Sequence, residues 1–88
     1  MKFNELDRII KYFGKNKQCI VALEELSELQ KEICKHLRGY DNRHAVAEEI
    51  ADVEIMLEQL KIIFDCHNEV DLLQKQKIQR TIERDLES

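Results

Sequence analysis

Two stretches decide how this chain folds: Leu23-Glu24-Glu25-Leu26-Ser27-Glu28-Leu29, and Glu48-Glu49-Ile50-Ala51-Asp52-Val53, with twenty residues between Glu28 and Glu49. In each, apolar residues recur three and four positions apart, which is the period of a helix face and not of a strand. Extended outward, the first stretch becomes a helix over residues 17–37. Ala22, Leu26, Leu29, Ile33 and Leu37 share one of its faces, with Cys19 and Leu23 at the edge and Glu24, Lys31 and Lys35 opposite. The second stretch becomes a helix that Asp41 or Asn42 caps and that runs to residue 64. Its main stripe is Val46, Ile50, Val53, Leu57, Leu60 and Phe64, widened by Ala45, Met56 and Ile63, while Ala51, Ile55 and Ile62 add a second apolar face. Only the sector around Arg43, Glu54, Glu58 and Lys61 reads as wet. A helix apolar around most of its girth needs cover on several sides. In so short a chain part of that cover is expected from a second copy, giving a homodimer or homotetramer.

Outside these two helices the chain reads the same way. Leu6, Ile9, Ile10 and Phe13 mark a first helix over residues 4–13 that Gly14 stops. Asp65-Cys66-His67 breaks the third helix, and Asn68 with Asp71 three residues on resembles a capping box for a fourth, which runs to residue 86. That last helix is weakly amphipathic, with Ile78, Ile82 and Leu86 in line. The chain has no proline and two glycines, so almost nothing punctuates it. The expectation is an all-α, four-helix single domain over residues 1–88, with the second and third helices antiparallel about Gly39-Tyr40.

Eighteen acids against fourteen bases leave a net charge of −4 in 88 residues, 36% of them charged and 43% apolar. The apolar share is that of a globular chain. The acidic balance argues against a nucleic-acid partner, whose phosphates call for a basic surface. No stretch approaches the ~18 uninterrupted apolar residues of a membrane span, so no membrane partner is expected. Met1-Lys2-Phe3-Asn4-Glu5 meets an acid before any apolar run, and no signal peptide is expected. Cys19, Cys34 and Cys66 are odd in number and form no Cys-x-x-Cys pair, which fits reduced, small apolar fillers in a cytoplasmic protein.

The acids are placed against expectation. Glu25 with Glu28, and Glu49 with Asp52, are pairs three residues apart on their helices, so each offers two carboxylates to one point. Glu49 falls between Met56 and Leu60 around its helix, Asp52 near Ala45 and Ile63, and Glu25 beside Leu29. Glu24–Glu28, Glu28–Glu32 and Glu48–Asp52 add like-charge neighbours one turn apart. Folding the two helices into a hairpin puts the two pairs within about 3–5 Å of one height at ~1.5 Å rise per residue. Four carboxylates converging there make an oxygen-rich cage for Mg²⁺, with Mn²⁺ as the second candidate. The competing view is a solvated salt-bridge face, the usual fate of helical glutamates. A di-iron bundle calls for Glu-x-x-His on facing helices, and the nearest approach here is Asp41-x-x-His44. Cys34-x-His36 and Cys66-His67 lack the ligand number and spacing for zinc, and these histidines read as surface or helix-end residues.

In these motifs the sequence resembles the MazG-related all-α nucleoside triphosphate pyrophosphohydrolases. That family carries a Glu-Glu-x-x-Glu helix followed by a Glu-x-x-Asp helix, matched here by Glu24-Glu25-Leu26-Ser27-Glu28 and Glu49-Ile50-Ala51-Asp52. Gln18 resembles a glutamine often found in short phage-type members, and Lys77-Ile78-Gln79-Arg80 resembles the family's Lys-x-x-Arg segment. The likeness spans roughly residues 12–84. Lys75 stands where the family often has asparagine, and the chain has no tryptophan.

The resemblance implies hydrolysis of a (d)NTP to the (d)NMP and pyrophosphate. It implies Glu25, Glu28, Glu49 and Asp52 as the Mg²⁺ ligands, with Glu24 or Glu48 taking the proton from the attacking water. Lys77 and Arg80, with Lys75 and Arg84 behind them, would meet the departing pyrophosphate; their plain alternative is a basic helix face balancing an acidic protein. Tyr12, Phe13 and Tyr40 are the flat surfaces available to a base, with core packing the simpler role for Phe13. Two other functions stay open: a non-catalytic helical interaction module that dimerises and binds through its fourth helix, and a nucleotide-binding sensor on the same fold.

Overall fold

The computed structural model describes residues 2–87. Among them four α-helices follow one another: α1 (Phe3–Phe13), α2 (Lys15–Leu37), α3 (Arg43–Ile63) and α4 (His67–Thr81). A π-helical turn over Ile82–Leu86 prolongs α4, and the described residues contain no strand. None of these helices is long and apolar enough to cross a membrane.

Three short joints set the course of the chain. Gly14 takes φ +95° and ψ 151°, a conformation open essentially to glycine alone. Its N–H closes α1 on the Ile10 carbonyl and its own carbonyl accepts the Gln18 N–H. One residue thus ends α1 and starts α2, so α2 begins at Lys15, two residues before the position expected from apolar spacing. At the end of α2, the Gly39 N–H bonds to the His36 carbonyl and the Tyr40 N–H to the Lys35 carbonyl, with Gly39 at φ +97°. This is a Schellman closure, which needs a left-handed residue at that point. α3 ends in the same pattern, Asp65 to Ile62 and Cys66 to Lys61, but there the left-handed residue is Asp65 at φ 51°.

Two expected caps are corrected. Asn42 does occupy the position before α3, yet its side chain makes no cap. Its Nδ2 instead donates across the turn to the Glu32 carbonyl (2.9 Å) and carboxylate (3.0 Å). The Asn68–Asp71 box does not form, because the chain leaves the α3 closure already in helical course. Cys66 holds the flanking position and its carbonyl accepts the Val70 N–H, so α4 starts at His67 with Asn68 inside its first turn.

α2 and α3 pack most closely, α1 lies against both, and α4 leans on α3 alone. The buried apolar residues are Leu6, Ile10, Ala22, Val53 and Met56. Most of the expected core stripe therefore remains open: Leu23, Leu26, Ile33 and Leu37 of α2, and Ile50, Leu57 and Phe64 along α3, are all exposed. At 100° per residue these side chains fall about 80–160° around their helices from Glu25 and Asp52. Because the two helices run antiparallel, the same sense of rotation carries both sets to one side of the acids. The molecule is correspondingly extended, with a radius of gyration of 15.9 Å against about 12 Å for a compact domain of this length.

Candidate functional site

The carboxylates meet where α2 and α3 pair. A buried hydrogen bond from Gln18 Nε2 to Gln59 Oε1 (2.8 Å) joins the helices. Counting inward from it, Glu25 lies seven residues beyond Gln18 and Asp52 seven before Gln59. Glu28 and Glu49 stand level in the same way, ten residues in on each helix. Glu25, Glu49 and Asp52 bring one carboxylate oxygen each within 4.8 Å of one another. Glu25 and Glu49 are half-buried and Asp52 is exposed. Glu28 is not one of this close trio, although its charge acts on both Glu25 and Glu49.

The electrostatics show acids pressed together. Loss of hydration raises the Glu25 carboxyl above the usual glutamate value, helped by the Asp52 and Glu49 charges and by the close approach of the Asp52 carboxyl. Glu49 is raised as well, first by loss of hydration and then by Asp52, Glu28, Glu32 and Glu48. One oxygen of Glu49, Oε2, is shielded from solvent and has no hydrogen-bond partner. A buried acceptor without a donor is uncommon in folded chains. Hard carboxylate oxygens in this number, one of them unpartnered, are a donor set that fits Mg²⁺ or Mn²⁺.

Neighbouring acids behave in the opposite way. Glu32 is held below its usual value, chiefly by the Asn42 side chain and then by Lys35 at 3.3 Å. Glu58 is lowered mainly by Lys61 Nζ at 2.9 Å, with His67 at 3.4 Å on its other oxygen. Thus cations on α2 and α3 serve the flanks of the trio.

Glu24 is exposed. Glu48 is exposed too and faces His44 Nε2 at 2.8 Å. Lys75, Lys77, Arg80 and Arg84 are exposed on α4 and its π-turn, elements that pack on α3 and on each other but on neither α1 nor α2. Lys75 and Arg80 border a shallow groove with Gln76, Gln79 and Glu83, and Arg84 pairs with Asp85 at 2.7 Å. Among the aromatics, Tyr12 is 82% exposed and meets Phe13 edge-on at 4.8 Å between ring centres, so Phe13 lies outside the core. Tyr40 carries the Arg38 guanidinium 5.9 Å from its ring centre. The three cysteines are free.

Gln59 and Asn42 were not legible as site residues. Gln59 sits as far from Asp52 as Gln18 does from Glu25, and that symmetry about the turn was the available signal. No protein-family model matches the chain, and no curated protein or solved structure matches it.

Proposed function

We propose that this chain is a Mg²⁺-dependent nucleoside triphosphate pyrophosphohydrolase of the MazG-related kind, converting a (d)NTP and water to the (d)NMP and pyrophosphate. The observation that carries this is the shielded, unpartnered Oε2 of Glu49, a residue that with Glu25 and Asp52 brings one carboxylate oxygen each within 4.8 Å of the others. Acids so placed repel one another and lose hydration, and a divalent cation relieves both penalties. The motif likeness supplies the reaction.

Glu25, Glu49 and Asp52 would hold the ion, with Glu28 as the fourth carboxylate. A bound Mg²⁺ supplies neutralisation of the triphosphate and Lewis acidity at phosphorus. Glu48 or Glu24, beside the trio and open to water, would accept the proton of the attacking water. Lys77 and Arg80, then Lys75 and Arg84, would receive the charge of the departing pyrophosphate. A screen of nucleoside triphosphates with Mg²⁺, reading monophosphate and pyrophosphate together, tests the reaction. Turnover that Glu49→Gln abolishes supports it; no turnover of any nucleotide, or an unaffected E49Q, overturns it.

The functional unit is a homo-oligomer of this chain. A folded 10.5 kDa monomer exposes about 5,400 Å². This chain exposes 7146 Å², an excess of about 1,700 Å² where a standard interface takes about 800 Å² per partner. The flank of Leu23, Leu26, Ile33, Leu37, Ile50 and Leu57 is the surface for a second copy. The same flank favours a second reading, a helical oligomerisation module without catalysis. In that case divalent ions leave the stability unchanged and the acids tolerate neutral replacement.

A further inference from the structure

We infer that Gln18 and Gln59 are positioning residues: their buried hydrogen bond fixes the helix register on which the carboxylate trio depends. This rests on the metal-site proposal above. Both side chains are almost fully enclosed, at 4% and 2% exposure, and Gln59, which accepts from Gln18, donates from its Nε2 to Met56 Sδ at 3.7 Å. The fully buried apolar residues of α2 and α3 are small or flexible: Ala22, Val53 and Met56. Such burial is non-directional and does not by itself select one alignment among those a helical turn apart. The alignment found is also the one that Glu25, Glu49 and Asp52 oppose by mutual repulsion. A directional bond is needed to hold it.

The amide pair supplies that bond. In any slipped register each buried amide loses its partner, which is costly, whereas in this one both are satisfied. A single buried polar pair is a known device for choosing register between packed helices. Seven residues are close to two helical turns, so Glu25 returns to the face of Gln18 and Asp52 to the face of Gln59. The pin and the trio therefore share one seam, about 10 Å apart along it.

The test is the double variant Q18M/Q59M, which replaces both amides by apolar chains of like length. Removing both partners leaves no orphaned amide, so folding is expected to survive with melting unchanged or higher. Mn²⁺ affinity, read by the loss of free-ion EPR signal, is expected to fall about ten-fold or more, as when groups that orient metal ligands are removed. A metal-independent readout accompanies it: in EDTA, E25Q raises the melting temperature of the wild-type chain, and that gain disappears in the Q18M/Q59M background. Wild-type Mn²⁺ affinity together with an undiminished E25Q gain overturns the inference and assigns the register to the Gly39 turn alone. If the wild-type chain itself binds no Mn²⁺, the metal proposal fails, while the EDTA comparison still decides the register. Should the double variant not fold, Q18A, which ends the bond at one side, is read by the same two measurements.

Discussion

Replacing Glu49 by glutamine is the perturbation whose effect changes sign with the medium. In the metal-free chain Glu49 is raised by loss of hydration and by the carboxylates around it. Removing its charge while keeping its shape should raise the melting temperature in EDTA. Glutamine also offers an N–H₂ group to the acids nearby. With divalent ion the order should reverse. At Mg²⁺ ten times its Kd, a ligand of the folded state adds RT ln 11, about 1.4 kcal/mol. Unfolding entropy near 2.1 cal/mol/K per residue, over 88 residues, converts this to a rise of about 8 °C. E49Q should stay flat across the same titration. The assay is thermal unfolding by circular dichroism in EDTA and in rising MgCl₂. An E49Q chain that melts below wild type in EDTA, or that keeps the Mg²⁺ shift, refutes the reasoning.

Other outcomes follow from the same contacts. Glu25 and Glu49 are raised in the folded chain, so their favourable contribution is complete below the ordinary glutamate value, about 4.3, and is lost as pH rises through the raised values. Metal-free wild type should therefore lose stability relative to E25Q/E49Q as pH rises from about 4.3 through the raised values, and saturating Mg²⁺ should reverse the difference, read by urea unfolding at each pH. Glu32 has the opposite sign: Asn42 holds it low, so N42A should lower stability at neutral pH and weaken its loss on acidification. Asp65→Gly places glycine at the one left-handed non-glycine residue among those described and should add about 0.5–1 kcal/mol, a rise of about 3–5 °C. Ile50→Glu combined with Leu23→Glu should convert an oligomer in sedimentation equilibrium to a 10.5 kDa monomer with its helicity kept.

Helix number and order were legible because period and punctuation agree: few breakers interrupt the pattern, and Gly14 and Gly39 sit at two of the three joints. The third joint was visible as a break but not as a mechanism, since Asp65 adopts a glycine-like conformation and the closure it makes sets α4 going before Asn68. The convergence of Glu25, Glu49 and Asp52 followed from counting residues outward from the turn. Angular position alone could not separate the trio from Glu28, because helical phase gives direction and not the reach of a side chain. The core was the least legible part. Stripes on α2 and α3 marked apolar surface correctly, but one chain buries little of it, and periodicity cannot tell which sector meets its own chain and which stays open. Gln59 was hidden for a related reason: a polar residue on an apolar seam registers as an interruption until its partner is known, and Gln18 was legible only through the family likeness, not as that partner.

The most direct measurement is Mn²⁺ binding followed by EPR of the free ion, in wild type and in E25Q/E49Q/D52N. Saturable removal of the free signal by the wild-type chain, abolished in the triple variant while its helicity persists, is the predicted result. Equal free Mn²⁺ over both chains would mean that the three carboxylates do no more than face water, and would contradict the account.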